Sequence, residues 1–280
     1  MAGILTVVGT PIGNLSDLSP RAEEALRSCD FIAAEDTRVT LKLLNHLDIK
    51  KPMVSYFEHN KRDRGDAICA RIEAGENCAI VTDAGMPCIS DPGELLVAQC
   101  AERGITVTVV PGPSALIAAL AISGLPTGRF TFEGFLSVSK KSRRAHLASL
   151  VHEQRTMIFY EAPHKLTTTL DDLAATFGAD RRVALVRELT KIHEEVIRTT
   201  LGEACARYAG DNPAPRGEFV VIVEGAPEAA EADETMTLEE AIEAARKLRD
   251  EEGVSASEAA KRTAAATGFK KSEIYSALNN

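Results

Sequence analysis

The stretch Cys78-Ala79-Ile80-Val81-Thr82-Asp83-Ala84-Gly85-Met86-Pro87-Cys88-Ile89-Ser90-Asp91-Pro92-Gly93 starts as an uninterrupted apolar run and ends in small, turn-forming and acidic residues. That is how a buried parallel strand reads where it empties into a ligand crevice at its carboxyl end. Two further segments have the same construction. Ile4 to Val8 runs into Gly9-Thr10-Pro11-Ile12-Gly13-Asn14-Leu15, and Thr106 to Val110 runs into Pro111-Gly112-Pro113-Ser114-Ala115 before the Ala-rich stretch Leu116 to Ile122. Glycine and proline let a backbone approach a ligand closely, and the free N–H groups of a helix start favour polar or anionic groups. Three such loops near the amino terminus predict an α/β fold with a small-molecule site.

Around these loops, strand-like runs at Ile4 to Val8, Phe31 to Ala34, Ala79 to Val81 and Thr106 to Val110 alternate with helical stretches Pro20 to Ser28, Arg38 to Leu47, Arg64 to Glu73 and Gly93 to Arg103. Alternation of this kind predicts a parallel sheet covered on both faces. After Gly124-Leu125-Pro126-Thr127-Gly128 the strand candidates are Phe130 to Phe135, Thr156 to Glu161, Arg182 to Glu188, Glu194 to Thr200 and Glu218 to Glu224. Short turns, as at Leu189 to His193, make that second sheet partly antiparallel. Residues 226–236 read as an acidic linker. Leu238 to Glu251, Ser257 to Ala266 and Ser272 to Leu278 then read as helices, with Gly268 in a turn and Lys270-Lys271 opening the last. The spacing resembles a helix-turn-helix, although a small helical cap has the same pattern. The domain expectation is therefore 1–120, 121–225, the linker 226–236, and a helical module 237–280, with the ligand in the crevice between the first two.

Composition narrows the function. The 280 residues are 45% hydrophobic and 26% charged, ordinary for a globular protein. There is no run of about eighteen apolar residues and no leader pattern, so the expectation is a cytoplasmic protein without membrane contact. Six scattered cysteines and six histidines form neither a Cys-x-x-Cys pair nor a His-Glu-x-x-His pattern, and no metal site is expected. The net charge of −9 argues against indiscriminate nucleic-acid binding. Local clusters at Lys50-Lys51, Lys61-Arg62 with Arg64, Lys140-Lys141 with Arg143-Arg144, Arg181-Arg182 and Lys270-Lys271 keep an RNA partner open.

Glu35-Asp36-Thr37-Arg38 follows the second strand, where an acidic residue would suit a ribose hydroxyl in a dinucleotide fold. But the first turn is Gly-Thr-Pro-Ile-Gly-Asn, and Pro11 removes a donor that a pyrophosphate needs. No Gly-Lys-Ser/Thr follows, so NAD and ATP both fit poorly.

Taken in order, Gly9 to Leu15, Glu35 to Arg38, Asp83 to Gly93, Val110 to Ala115, Phe132-Glu133-Gly134-Phe135, Tyr160-Glu161-Ala162-Pro163-His164-Lys165 and Arg187-Glu188-Leu189-Thr190-Lys191 resemble the tetrapyrrole methylase superfamily of S-adenosylmethionine-dependent methyltransferases. Within it they are similar to the branch that methylates the ribose of small-subunit ribosomal RNA. The sequence departs from that branch at Thr82, Met86, Ala162 and Lys165. The resemblance implies a homodimeric enzyme that methylates a cytidine 2′-hydroxyl in the decoding region of 16S ribosomal RNA. The acidic net charge favours the assembled small subunit over naked RNA as the substrate. The resemblance also implies that S-adenosylmethionine lies in the interdomain cleft against Pro11, Asp83, Gly85, Met86, Ile89, Ser90, Asp91, Ser114, Ala115, Phe132, Tyr160, Glu161, Ala162 and Pro215. Substrate contacts are expected from Lys165, Arg187, Lys191, Lys270 and Lys271. Methyl transfer to a hydroxyl calls for a base, and Glu35 and Asp36 with Arg38 are the candidates, though Asp36-Thr37 also suits a helix cap. Two other readings stay open: a small-molecule tetrapyrrole methyltransferase, and a ligand-sensing nucleic-acid-binding protein.

Overall fold

The computed structural model describes residues 2–209, 215–227 and 237–278. Its first half contains β1 (Ile4–Val8), α1 (Pro20–Ser28), β2 (Phe31–Ala34), α2 (Thr37–His46), β3 (Met53–Ser55), α3 (Lys61–Glu73), β4 (Cys78–Val81), α4 (Gly93–Glu102), β5 (Thr106–Val110) and α5 (Ala115–Ser123). The strands form one parallel sheet in the order β3-β2-β4-β1-β5. Strands β2 and β4 are buried at every residue, as strands covered on both faces must be. One face packs around Leu5, Phe31, Ile68, Ile72 and Leu96, the other around Val8, Leu26, Ile32, Leu44 and Val81. Helix limits follow their caps. The Ser19 side chain accepts from the Ala22 N–H with Pro20 in the first turn of α1, and Asp36 accepts from the Arg38 N–H, so α2 begins at Thr37.

The second sheet is built from β6 (Phe130–Phe135), β7 (Thr156–Glu161), β8 (Arg182–Arg187), β9 (Glu195–Thr200) and β10 (Phe219–Val223) in the order β6-β7-β10-β8-β9. Strands β6 and β7 run parallel, and all other pairs are antiparallel. Helices α6 (Lys140–Ser149), α7 (Leu166–Phe177) and α8 (Leu201–Arg207) accompany it. One core cluster gathers Leu147 of α6, Leu166, Leu170 and Leu173 of α7 and Leu201 of α8 with Phe159, Leu185 and Val221. Helix α6 is pinned to α7 by Arg143 Nε and Asp172 Oδ2 at 2.7 Å, with side chains 11% and 13% exposed. Removing one partner of so enclosed a pair typically costs about 3–5 kcal/mol.

Helix α5 joins the two sheets. It leaves β5 of the first sheet, and Leu116, Ala119 and Leu120 pack on Ile158, Ala184, Val186, Val220 and Ile222 of the second. Arg198 of β9 donates to the carbonyls of Ile122 and Ser123 at its carboxyl end, satisfying acceptors that the helix leaves open.

Residues 1–226 make one compact unit and residues 227–280 another. The second holds α9 (Leu238–Glu252), α10 (Ala256–Thr267) and α11 (Lys271–Leu278) around Ala245, Ala259, Ala260, Ile274 and Leu278. Gly268 takes the left-handed conformation (φ 77°) between α10 and α11. Of the expected linker, residues 228–236 lie outside the described residues.

Candidate functional site

The three Gly- and Pro-rich loops emerge at the carboxyl edge of the parallel sheet, because they follow β1, β4 and β5, which are neighbours in it. They are fastened to one another. Thr10 and Gly85 exchange both backbone hydrogen bonds, at 2.9 and 3.1 Å. Gly9 and Gly112 pass so closely that a Cβ on Gly112 would stand 2.7 Å from Gly9 Cα, and the Gly112 N–H donates to Met86 Sδ at 3.2 Å. Within the β4 loop, Cys88 and Ser90 hold positive φ of 70° and 66°, conformations that a non-glycine residue keeps only where its surroundings enforce them. Asp91 is part of that enforcement: its carboxylate accepts from the N–H groups of Gly93 (2.7 Å) and Ile89 (3.2 Å).

These loops form one wall of a cleft of about 530 Å³, within the range of about 300–1,000 Å³ usual for small-molecule sites. That wall carries Ile12, Glu35, Thr82, Asp83, Ala84, Gly85, Met86, Ile89, Ser90 and Asp91. Ser114, Ala115 and Leu116 enter from the start of α5. The second sheet closes the cleft with Phe135, Tyr160, Glu161, Ala162 and Pro163, with Val186 and Leu189, and with Glu218, Phe219 and Val220.

Several side chains are committed to fixing this geometry. The Leu116 N–H donates to Tyr160 Oη at 3.1 Å, while Ser114, the N-cap of α5, makes no side-chain capping bond. The tyrosine therefore helps satisfy the helix start. Glu161 is 3% exposed, accepting from Thr169 Oγ1 (2.5 Å) and from the Ala162 N–H (2.8 Å). Thr82 Oγ1 donates to Glu35 Oε2 at 2.5 Å, and the Asp36 N–H donates to Asp83 Oδ1 at 3.0 Å. Burial, and then the neighbouring Glu35 charge, push the Asp83 carboxyl above its usual value; burial does the same to Asp91 and to the Tyr160 hydroxyl.

Asp36 behaves differently. Both its oxygens receive the Arg38 guanidinium, at 2.6 Å for the closest contact, and its carboxyl is held down to about 2 by that side chain and then by the Arg38 N–H. Its position is the helix cap, the other role that its place before α2 suits. Arg38 itself is 87% exposed. Neither residue belongs to the cleft lining, whereas Glu35 does.

Of the residues expected at the cofactor, Asp83, Gly85, Met86, Ile89, Ser90, Asp91, Ser114, Ala115, Tyr160, Glu161 and Ala162 come together in the lining. Pro11, Phe132 and Pro215 stand outside it. The Phe132 ring meets Tyr160 edge-on, with centroids 4.9 Å apart, and a register shift between Phe132 and Gly134 hands the lining position to Phe135. Lys165 lies two residues beyond the lining Pro163. Arg187 is held by Glu195 and the Arg216 carbonyl. Lys191 is held by Glu188 and Glu218, at 2.9 and 2.7 Å. Lys270 and Lys271 belong to the second unit. Sequence reasoning missed the apolar wall of Ile12, Leu116, Phe135, Val186, Leu189, Phe219 and Val220.

The charge of the lining decides which ligand it suits. Glu35, Asp83, Asp91, Glu161 and Glu218 are present, and among the lining residues there is no lysine, arginine or histidine. An acidic cleft with an apolar wall matches a cationic ligand that carries a flat apolar group, and repels a pyrophosphate. S-adenosylmethionine, with its ammonium, sulfonium and adenine, fits those residues.

The family model for tetrapyrrole (corrin/porphyrin) methylases matches residues 5–205, which sets the class of the chain. Solved structures share the architecture: diphthine synthase at a TM-score of 0.59 and 14% identity, over 80% of this chain and 90% of that one, and uroporphyrin-III-C-methyltransferase from Thermus thermophilus at 0.56 and 18%, over 79% and 94%. The chain is 47% identical to ribosomal RNA small subunit methyltransferase I of Synechocystis sp., over 98% of this chain and 96% of the relative. It is 52% identical to the protein of that name from Xylella fastidiosa (strain Temecula1), over 80% and 82%. It therefore belongs to the ribosomal RNA small subunit methyltransferase I family. Among the described residues, no helix is long and apolar enough to cross a membrane.

Proposed function

We propose that the protein transfers a methyl group from S-adenosylmethionine to the 2′-hydroxyl of a cytidine in the decoding region of small-subunit ribosomal RNA, acting in the cytoplasm as a homodimer on the assembled subunit. Family membership supports the reaction class, and the observation that carries the cofactor is the acidic, cation-free lining of the cleft. When bound, the cofactor supplies an electrophilic methyl carbon on a positively charged sulfur. Asp83 offers its carboxylate to the cofactor's cationic or hydroxyl groups. The Gly85 to Asp91 backbone and Ser114-Ala115 offer polar contacts, while Met86, Ile89 and Val220 enclose the apolar part and exclude water.

The ribose hydroxyl is a weak nucleophile, and a positioned base is worth about 10²- to 10⁴-fold. Of the two candidates Glu35 is the better supported. It lines the cleft, and Thr82 engages only one of its oxygens, whereas Asp36 is committed to Arg38 and to its own helix. Glu35 accepts the proton, Asp36 fixes α2, and Arg38, Lys165 and the Lys270-Lys271 pair contact the RNA.

The test supplies methyl-labelled S-adenosylmethionine and small ribosomal subunits from cells lacking the enzyme, then identifies the labelled nucleoside after digestion. Label in 2′-O-methylcytidine is expected. Glu35→Gln is expected to lower kcat by about 10²- to 10⁴-fold with cofactor affinity nearly unchanged, and Asp36→Asn, which still caps, to lower it far less. Cofactor binding without any label in RNA would overturn the reading in favour of a small-molecule acceptor.

A further inference from the structure

The cleft holds carboxylates and no cation, yet the proposed acceptor is a polyanion. Cations that hold RNA must therefore stand on the rim. Several basic residues are already paired: Arg182 with Glu224, Lys61 with Glu58, and Lys191 with Glu188 and Glu218. The segment from β6 into α6 differs. Phe135 ends β6, lines the cleft, and is 57% exposed with its ring 5.5 Å from that of Tyr160. Val138 follows at 77% exposure, and Lys140-Lys141-Ser142-Arg143-Arg144 then opens α6.

Within that run the charges divide. Arg143 is the anchor to Asp172. Arg144, largely exposed, reaches the same carboxylate only at 3.7 Å. Lys140 and Lys141 are exposed and have no ion pair among the described residues. The run also opposes its own helix. The positive end of a helix favours carboxylates, yet α6 has none in its first turn, and Ser139 at the N-cap makes no capping bond. A local rule broken without a structural return marks a residue kept for another purpose.

We infer that β6 and α6 form the track along which the substrate strand enters the cleft: Phe135 stacks on a base at the mouth, and Lys140, Lys141 and Arg144 neutralise phosphates of the flanking nucleotides. The inference rests on RNA being the acceptor. An exposed aromatic beside a row of cations is how single-stranded nucleic acid is gripped without base readout.

The test uses the full-length triple variant Lys140→Gln/Lys141→Gln/Arg144→Gln and measures methylation of unmodified small subunits across a salt series. KM is expected to rise about tenfold or more, and log(kcat/KM) to fall less steeply with log salt, by about 2 for three charges on a single strand. kcat and cofactor affinity stay within about twofold, and the thermal midpoint stays level or rises, because cations leave the positive end of a helix. Lys140→Arg/Lys141→Arg keeps the wild-type KM and slope, and Phe135→Tyr retains activity that Phe135→Leu loses in KM. A triple variant with unchanged KM and salt slope overturns the track, as does a KM increase with an unchanged slope, which points to a protein neighbour in the subunit. Failure of the wild-type enzyme to label RNA removes the acceptor itself, and the track with it.

Discussion

Residue by residue, the cleft is organised around carboxylates held where charge is costly. Burial and Glu35 raise the Asp83 carboxyl, and burial raises Asp91. A carboxyl whose folded value lies above its unfolded one stabilises the ligand-free protein fully at pH below the unfolded value. That contribution disappears as pH rises through the folded value. Near neutral pH the empty cleft therefore carries ionised groups at a cost, which a cationic ligand offsets. Cofactor affinity should fall as pH drops through the raised Asp83 value. Asp83→Asn should weaken binding by about tenfold or more, flatten its pH dependence, and raise the thermal midpoint of the ligand-free protein at neutral pH. Calorimetric titration and thermal melts across pH check all three, and a variant that binds as tightly as wild type would remove Asp83 from the cofactor site. The Asn side chain keeps an oxygen to accept the Asp36 N–H, so the change removes charge and leaves the loop contact.

Among the strands, helices and loops, the site depends on loops from three neighbouring strands passing one another without side chains in between. A Cβ on Gly112 would meet Gly9 Cα at 2.7 Å and its carbonyl carbon at 2.8 Å, backbone that cannot rotate away. Gly112→Ala should cost about 1–3 kcal/mol as overpacking and weaken cofactor binding, whereas Gly128→Ala, with nothing within 4 Å of its added methyl, should be neutral within about 0.5 kcal/mol. Denaturant titration of the two variants distinguishes them; equal stability would show that the loops can part. These loops were legible in the sequence because, in an α/β chain, an apolar run that stops at Gly, Pro and Asp marks the carboxyl end of a buried strand. The glycine contact was invisible, since the partners are distant in sequence and neither has a side chain to declare a preference. Strand β3 was hidden for another reason: three half-buried residues, Met53 to Ser55, show no period. The second wall escaped as well, because Val186 and Val220 read in an apolar run as core residues whether they face a core or a cleft. Lys191 was visible as a charge, but not its pairing with Glu218, which depends on strands β8 and β10 lying side by side.

At the scale of the whole chain, residues 227–280 carry a hydrophobic cluster of their own, around Ala245, Ala259, Ala260, Ile274 and Leu278. Residues 1–226 carry both sheets and every residue that lines the cleft. Removal of residues 227–280 should therefore leave a cooperative thermal transition and a cofactor affinity within about twofold of the full chain, since the first unit holds its own hydrophobic clusters. If Lys270 and Lys271 touch RNA, the truncated enzyme should need several-fold more small subunit for half-maximal rate, with kcat unchanged and a shallower salt dependence. Lys270→Gln/Lys271→Gln in the full chain should reproduce part of that change with the helices intact. A truncated protein with full activity at wild-type subunit concentration would confine RNA recognition to the two-sheet body, leaving the rim of the cleft to supply the cations its interior lacks.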